Sequence, residues 1–162
     1  MGKKNFINLA LFATIGLLSL DAFADVKTCV HGNSAQFETP DRAGTVLYKG
    51  WGIDFGKSGV SNWIHYSIPV RDPNLKLKSL SIKFYLGSHD VMIKDVHLYN
   101  ANVKVHTAND VNWNRSGWST KTIILPLLKS VSQGLGVSLQ TAAGVESMSK
   151  RVVISSVCGT FQ

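Results

Sequence analysis

The sequence predicts an all-β fold, an antiparallel β-sandwich of the jelly-roll kind with about nine short strands. Short apolar segments recur between Gly, Asn, Asp and Pro residues, and none of them keeps a helical period. Several alternate apolar and polar side chains, as strands with one buried face do. Two cysteines near opposite ends, Cys29 and Cys158, favour a fold in which the first and last strands are neighbours.

The predicted strands follow one another along the whole domain without a linker or an internal repeat. In chain order they are Val26 to His31, Thr45 to Tyr48, Asn62 to Val70, Ser79 to Leu86, Asp95 to Tyr99, Val103 to Thr107, Lys121 to Leu125, Leu135 to Gln140 and Arg151 to Val157.

Three of these segments indicate which side chains point inward. The even positions from Leu80 to Leu86 are apolar, but upstream Leu75 and Leu77 are odd, so we expect a β-bulge or a strand break near Lys78. The segment Arg151 to Val157 is apolar on both faces, as in a strand that is covered on both sides.

The segment Asn62 to Ile68 has one apolar face, formed by Ile64, Tyr66 and Ile68. Its other face carries Trp63, His65 and Ser67, an unusual set for a surface that only meets solvent.

Residues 1–24 read as a cleavable signal peptide. Lys3 and Lys4 precede the apolar run Phe6 to Leu20, and Ala22-Phe23-Ala24 is a cleavage site. The run is shorter than the roughly 20 residues that span a bilayer, so no stable membrane insertion is expected. We therefore predict one domain, residues 25–162, in a secreted or periplasmic bacterial protein.

An oxidising compartment predicts that Cys29 and Cys158 form a disulfide, with Cα atoms about 4.4 to 6.8 Å apart. The formal net charge of +7 is spread over scattered cations without a long basic run, which argues against a nucleic-acid partner. Attraction to an anionic envelope or polysaccharide stays open.

The four tryptophans fall into two pairs. Trp51 and Trp63 are most simply explained as completing a core or covering a sheet edge. Trp113 and Trp118 lie in the polar stretch Asn109 to Ser119, where large rings are harder to bury. We predict that this loop contacts a ligand, and the predicted ligand-binding residues are Trp113, Trp118, Asp110, Asn112, Trp63 and His65.

The spacing Asp110-x-Asn112-x-Asn114 resembles the start of a calcium loop. Arg115 and Lys121 stand where such a loop needs Gly and Glu, so a hydrogen-bonded turn is the better interpretation. No zinc spacing, nucleophile elbow or paired-acid motif occurs, and we predict no metal, no cofactor and no catalytic residue.

The order His31-Gly32-Asn33, Gly50-Trp51-Gly52, Asn62-Trp63-Ile64-His65, Ile68-Pro69 and Val153-Ile154-Ser155-Ser156 resembles a family of small exported bacterial proteins known only as a domain of unknown function. The resemblance covers most of residues 25–162. It implies a compact β fold and no catalytic residues, and the cysteine pair is not part of its pattern.

These patterns predict a non-catalytic binding protein outside the cytoplasm, with a carbohydrate or cell-envelope ligand. An alternative is a protein-interaction or structural role, such as an inhibitor or an assembly subunit. A third is a hydrolase that uses His65 or His97 with a carboxylate.

Overall fold

The computed structural model describes residues 24–56, 61–143 and 150–162, so the predicted signal peptide lies outside it except for Ala24. The described residues form strands and short 3-10 turns and contain no helix long and apolar enough to cross a membrane. The strands are β1 (Val26–His31), β2 (Gln36–Phe37), β3 (Val46–Lys49), β4 (Gly52–Gly56), β5 (Asn62–Ile68), β6 (Lys76–Leu86), β7 (Val91–Asn100), β8 (Val103–Ala108), β9 (Gly117–Ser130), β10 (Leu135–Ala143) and β11 (Arg151–Phe161).

The strands form two antiparallel sheets, which confirms the predicted β-sandwich. A six-stranded sheet has the order β3-β4-β11-β6-β9, with β1 also paired to β11. A five-stranded sheet has the order β2-β5-β10-β7-β8. Each sheet therefore has one inner face, which meets the other sheet, and one outer face.

The core lies between the inner faces. As predicted, Leu80, Ile82, Phe84 and Leu86 of β6 are buried, and so are Ile64, Tyr66 and Ile68 of β5. Burying such side chains is the main stabilising contribution, about 25 cal/mol for each Å² of apolar surface removed from water.

The parity change predicted near Lys78 is a β-bulge. Leu77 pairs with Phe161 of β11 while Ser79 pairs with Thr160, so Lys78 is the extra residue. The same point disturbs the pairing with β9, which continues through Pro126 to Ser130, well beyond the predicted end at Leu125.

The central strand β11 pairs along one edge with two strands in turn. Its residues 151–154 pair with β4, its residues 156–161 pair with β1, and a bulge separates the two stretches. Gly32 and Gly52 lie against this bulge, because a Cβ on either would overlap the carbonyl oxygen of Ile154.

The predicted disulfide between Cys29 and Cys158 is confirmed. The two residues are directly opposed in the β1–β11 pair, and their Cα atoms are 4.0 Å apart, slightly closer than the predicted range. This bond is compatible with an extracellular protein.

Candidate ligand-binding site

The outer face of the five-stranded sheet carries an ordered set of polar and aromatic side chains. Strand register places Trp63 opposite Gln140 and Gln140 opposite Asp95. The next row across the strands contains His65, Ser138 and His97. We call these six residues, Trp63, His65, Asp95, His97, Ser138 and Gln140, the polar face.

The Trp63 ring is half-buried beside the imidazole of His97, with centroids 4.7 Å apart and planes inclined by 39°. Nε2 of His97 in turn lies 3.1 Å from Oδ1 of Asn109, in hydrogen-bonding range. These contacts hold the indole in a fixed position on the sheet, where its exposed part can meet a ligand.

His65 bridges two neighbouring groups. Its Nδ1 lies 2.9 Å from the Ser138 hydroxyl, and its Nε2 lies 3.4 Å from a carboxylate oxygen of Glu38. The trio resembles a serine–histidine–acid arrangement in composition. However, Ser138 is buried in a strand with hydrogen-bonded neighbours on both sides, so the backbone offers no spare N–H for an oxyanion hole. The geometry suits hydrogen bonding to a bound molecule better than acyl transfer.

The side-chain amide of Gln140 has an acceptor that makes no hydrogen bond within the described structure. Its Oε1 atom is buried and has no hydrogen-bond partner among the described residues. Buried amide oxygens usually have a partner, so this atom is an exception within the polar face.

The loop between β8 and β9 begins at the polar face. The backbone N–H of Asp110 donates to Oδ1 of Asp95 at 2.7 Å. Asp110 and Asn112 have left-handed backbone angles, with φ of 52° and 45°, which identifies both as turn residues. Among the described residues, no group of three or more His, Cys, Asp or Glu side chains could hold a metal ion.

The same loop then crosses to the other sheet, and its two tryptophans separate. Trp113 forms a β-bridge with Ile93 and lies parallel to the core ring of Phe84, with centroids 5.8 Å apart. It therefore closes the edge of the sandwich. Trp118 is the first side chain of β9 on the outer face of the six-stranded sheet and is 53% exposed. The loop does not gather the predicted ligand residues into one surface.

No protein-family model matches the chain, and no curated protein matches it either. Solved structures do resemble it. A low-affinity xylan-binding module of family 86 from the gut symbiont Roseburia intestinalis matches with a TM-score of 0.53 at 11% identity, covering 85% of this chain and 96% of that one. A xylan-binding module of family 15 gives 0.52 at 13% identity, covering 85% and 97% of the two chains.

A mutant of a carbohydrate-binding module of family 29 gives a TM-score of 0.51 at 11% identity, covering 85% of this chain and 92% of that one. The chain has the β-sandwich fold of carbohydrate-binding modules. At these identities the similarity shows the fold alone.

The sequence pattern predicted two members of the polar face, Trp63 and His65, as ligand contacts. It did not single out Ser138 or Gln140, and it considered Asp95 and His97 only as possible metal ligands and His97 also as a possible catalytic residue. The available signal was the alternation of polar and apolar side chains: Ser138 lies between the buried Val137 and Leu139, and Gln140 and Asp95 each follow or precede a buried apolar residue. Only the strand register brings the rows together.

Proposed function

We propose that this protein is a non-catalytic binding module for a neutral glycan, exported from a bacterial cell, and that the polar face is its binding surface. The observation that carries the proposal is the Trp63 ring beside a transverse row of half-buried hydrogen-bonding side chains on an open sheet face.

The chemistry of a sugar ring fits this arrangement. A pyranose offers a C–H face that packs on an indole, and hydroxyl groups at its rim that pair with imidazole, hydroxyl, amide and carboxylate groups. Glu38 and Asp95 add negative charge beside the row, which disfavours an acidic chain there. A neutral glycan therefore fits the polar face best.

The similar solved structures guide the choice of oligosaccharides to test. Two of them are xylan-binding modules by name, so xylan oligosaccharides are the first ligands to test. The HGN, GWG and NWIH motifs further support a place in the exported family that they resemble.

The test is a calorimetric titration of residues 25–162 with xylohexaose, cellohexaose and laminarihexaose. We expect at least one to bind, and Trp63→Ala to raise its Kd about tenfold or more, because losing one stacked ring removes on the order of 1 to 3 kcal/mol. Trp118→Ala, on the opposite sheet, is the matched control and should bind as the unmodified protein does.

Thermal melts accompany the titration to confirm that both variants are folded. Absence of binding to all three oligosaccharides, or an unchanged Kd in a folded Trp63→Ala variant, would overturn the proposal.

A protein-interaction role is second, and one observation favours it. The edge strand β9 exposes three large apolar side chains next to Pro126, namely Ile124, Leu127 and Leu128. Exposed apolar side chains on an edge strand are typical of protein contacts. Concentration-dependent sedimentation that Leu127→Lys abolishes would support this role.

A further inference from the structure

The outer face of the six-stranded sheet carries a second aromatic surface, which the proposed function does not use. The Trp118 ring lies 6.2 Å from that of Trp51 and 5.6 Å from that of Tyr85, measured between centroids. We call these three residues the aromatic cluster. Trp118 and Trp51 remain 53% and 42% exposed, so these rings are not part of the core and are open to a ligand.

Three cations surround the cluster. The Nζ atom of Lys49 lies 5.0 Å from the Trp51 ring centroid, and that of Lys83 lies 5.8 Å from the Trp118 centroid. The Arg151 guanidinium lies between Trp51 and Tyr85, at 5.9 and 5.4 Å. Cations over ring faces are favourable contacts and fix the positions of both partners.

One carboxylate sits among these cations. Asp54 accepts from Nε and Nη2 of Arg151 at 2.9 and 2.8 Å and from Nζ of Lys49 at 2.8 Å. The hydrogen bond from Arg151 lowers the pKa of Asp54 despite its burial, so Asp54 is ionised at neutral pH. Three cations against one anion leave the surface positive.

Lys83 is the cation most available to a ligand. Its side chain is exposed at the centre of the sheet face, and no carboxylate pairs with it among the described residues. It stands beside the most exposed indole of the cluster, which places a positive charge next to a stacking surface.

We propose that the aromatic cluster, with Lys49, Lys83 and Arg151, is a binding site for an acidic polysaccharide, a pyranose chain that carries carboxylate or sulfate groups. The indoles of Trp51 and Trp118 take the sugar rings, and Lys83 pairs with the anionic group. The site is separate from the polar face, because the two surfaces are the outer faces of different sheets.

A glycan fits better than a nucleic acid. Three clustered cations can match one or two anionic groups, whereas a nucleic acid strand is held by a longer track of phosphate contacts. Here Lys49 and Arg151 both bond to the internal carboxylate of Asp54, so among the described residues only Lys83 of the three has no carboxylate partner.

The test measures binding of residues 25–162 to polygalacturonate and to its fully methyl-esterified form, with dextran sulfate and single-stranded DNA as comparison polymers. We expect polygalacturonate to bind about tenfold or more tightly than its ester. Trp118→Ala should weaken binding about tenfold, and Lys83→Gln about three- to fivefold.

Two controls separate this site from simpler explanations. Lys76→Gln removes the same charge from the far end of β6, and Trp63→Ala changes only the polar face; both should bind polygalacturonate normally. Dextran sulfate binding with the same variant pattern would extend the site to sulfated chains.

Four results would overturn the proposal: equal affinity for polygalacturonate and its ester, equal losses for Lys83→Gln and Lys76→Gln, a folded Trp118→Ala variant with normal binding, or tighter binding of DNA than of either acidic glycan. The xylohexaose titration is independent, so either proposal can fail alone.

Discussion

Residues of the HGN, GWG and NWIH motifs divide into those that fix the backbone and those that face outward. Gly32 and Gly52 permit the close approach to β11, and the Asn62 side chain pairs with both backbone groups of Thr39. Trp51 and Trp63 belong to the second group, because Trp51 is exposed and Trp63 lies on an outer sheet face. The tryptophans are therefore the motif residues that packing explains least.

Tyr66 is a buried residue whose hydroxyl group makes no hydrogen bond within the described structure, and its contribution to stability can be tested. Its ring is in the core, and its hydroxyl is buried without a hydrogen-bond partner among the described residues. Burial also raises the pKa of this hydroxyl, which keeps it neutral. We expect Tyr66→Phe to leave the free energy of unfolding unchanged or to raise it by about 1 to 3 kcal/mol, as measured by urea denaturation.

Phe84→Leu, which removes ring volume from the same core, should instead destabilise the protein. A clear loss of stability in Tyr66→Phe would reveal a bonded hydroxyl and contradict the interpretation.

Asp54 makes the stability depend on pH in a defined direction. Arg151 holds its pKa below the ordinary value of 3.8 in the folded protein. A depressed folded pKa stabilises the fold above the unfolded pKa, and this contribution is lost as the pH falls through the folded value. We expect Asp54→Asn to cost roughly 1 to 2 kcal/mol at pH 7, a figure reduced because both cationic partners are partly exposed.

Urea unfolding at pH 7, 5 and 3 checks this. The difference in the free energy of unfolding between the unmodified protein and Asp54→Asn should persist at pH 5 and become smaller at pH 3. Asp25→Asn, which breaks the exposed pair with Lys78, is the control and should change little. A gap that widens on acidification would refute the assignment.

Strands in which apolar and polar side chains alternate regularly were predicted well, and strands that depend on tertiary contacts were not. In β6, the apolar side chains stand at even positions from Leu80 onward and at odd positions before Lys78. This pattern predicted both the inner face and the bulge. β4 was missed because two glycines bound it and Asp54 interrupts its apolar residues. The pair of residues that forms β2 is too short to leave a periodic signal.

The extended β9 was also underestimated, because Pro126 normally ends a strand. Here β9 is an edge strand, where a missing N–H costs least, and the pairing resumes beyond the bulge. Edge position is a property of the sheet and cannot be predicted from the local sequence.

The disulfide ties one particular strand to the sheet. Cys29 is exposed on β1, while Cys158 is buried in the central β11. We expect replacement of both cysteines by serine to lower the free energy of unfolding by about 4 to 5 kcal/mol if the unfolded-chain entropy model holds. Hydrogen exchange should rise most in β1, which loses its covalent link to β11.

Dithiothreitol should reproduce this effect on the unmodified protein and have no further effect on the serine variant. A melting temperature insensitive to reductant would contradict the prediction.

At the scale of the whole molecule, the two proposed sites face away from each other across the sandwich. A single copy could then hold a neutral and an acidic chain together. We expect fluorescent polygalacturonate to sediment with insoluble xylan only when the protein is present, and either Trp63→Ala or Trp118→Ala to abolish the effect.

Mutual displacement of the two polymers would instead indicate one shared surface. As a control, each single variant should still bind the polymer of its intact site.

The sequence could predict the sandwich, the disulfide and the outward placement of Trp63 and His65, since these depend on periodicity and compartment. It could not show that Trp113 stacks on Phe84 while Trp118 joins Trp51, because those contacts arise only when the loop crosses between sheets. The polarity of the loop indicated that its two tryptophans are unusual but could not predict toward which sheet each ring turns.

The pairing of β1 with β11 also determines how the domain would respond to a pulling force. Val26 lies opposite Phe161 and Lys27 opposite Thr160, so tension applied at these ends would peel the two strands apart one pair at a time. Only three pairs precede Cys29 and Cys158, whose covalent bond would stop the peeling. Beyond that point the load passes through the sulfur atoms, and both outer faces keep their shape under tension.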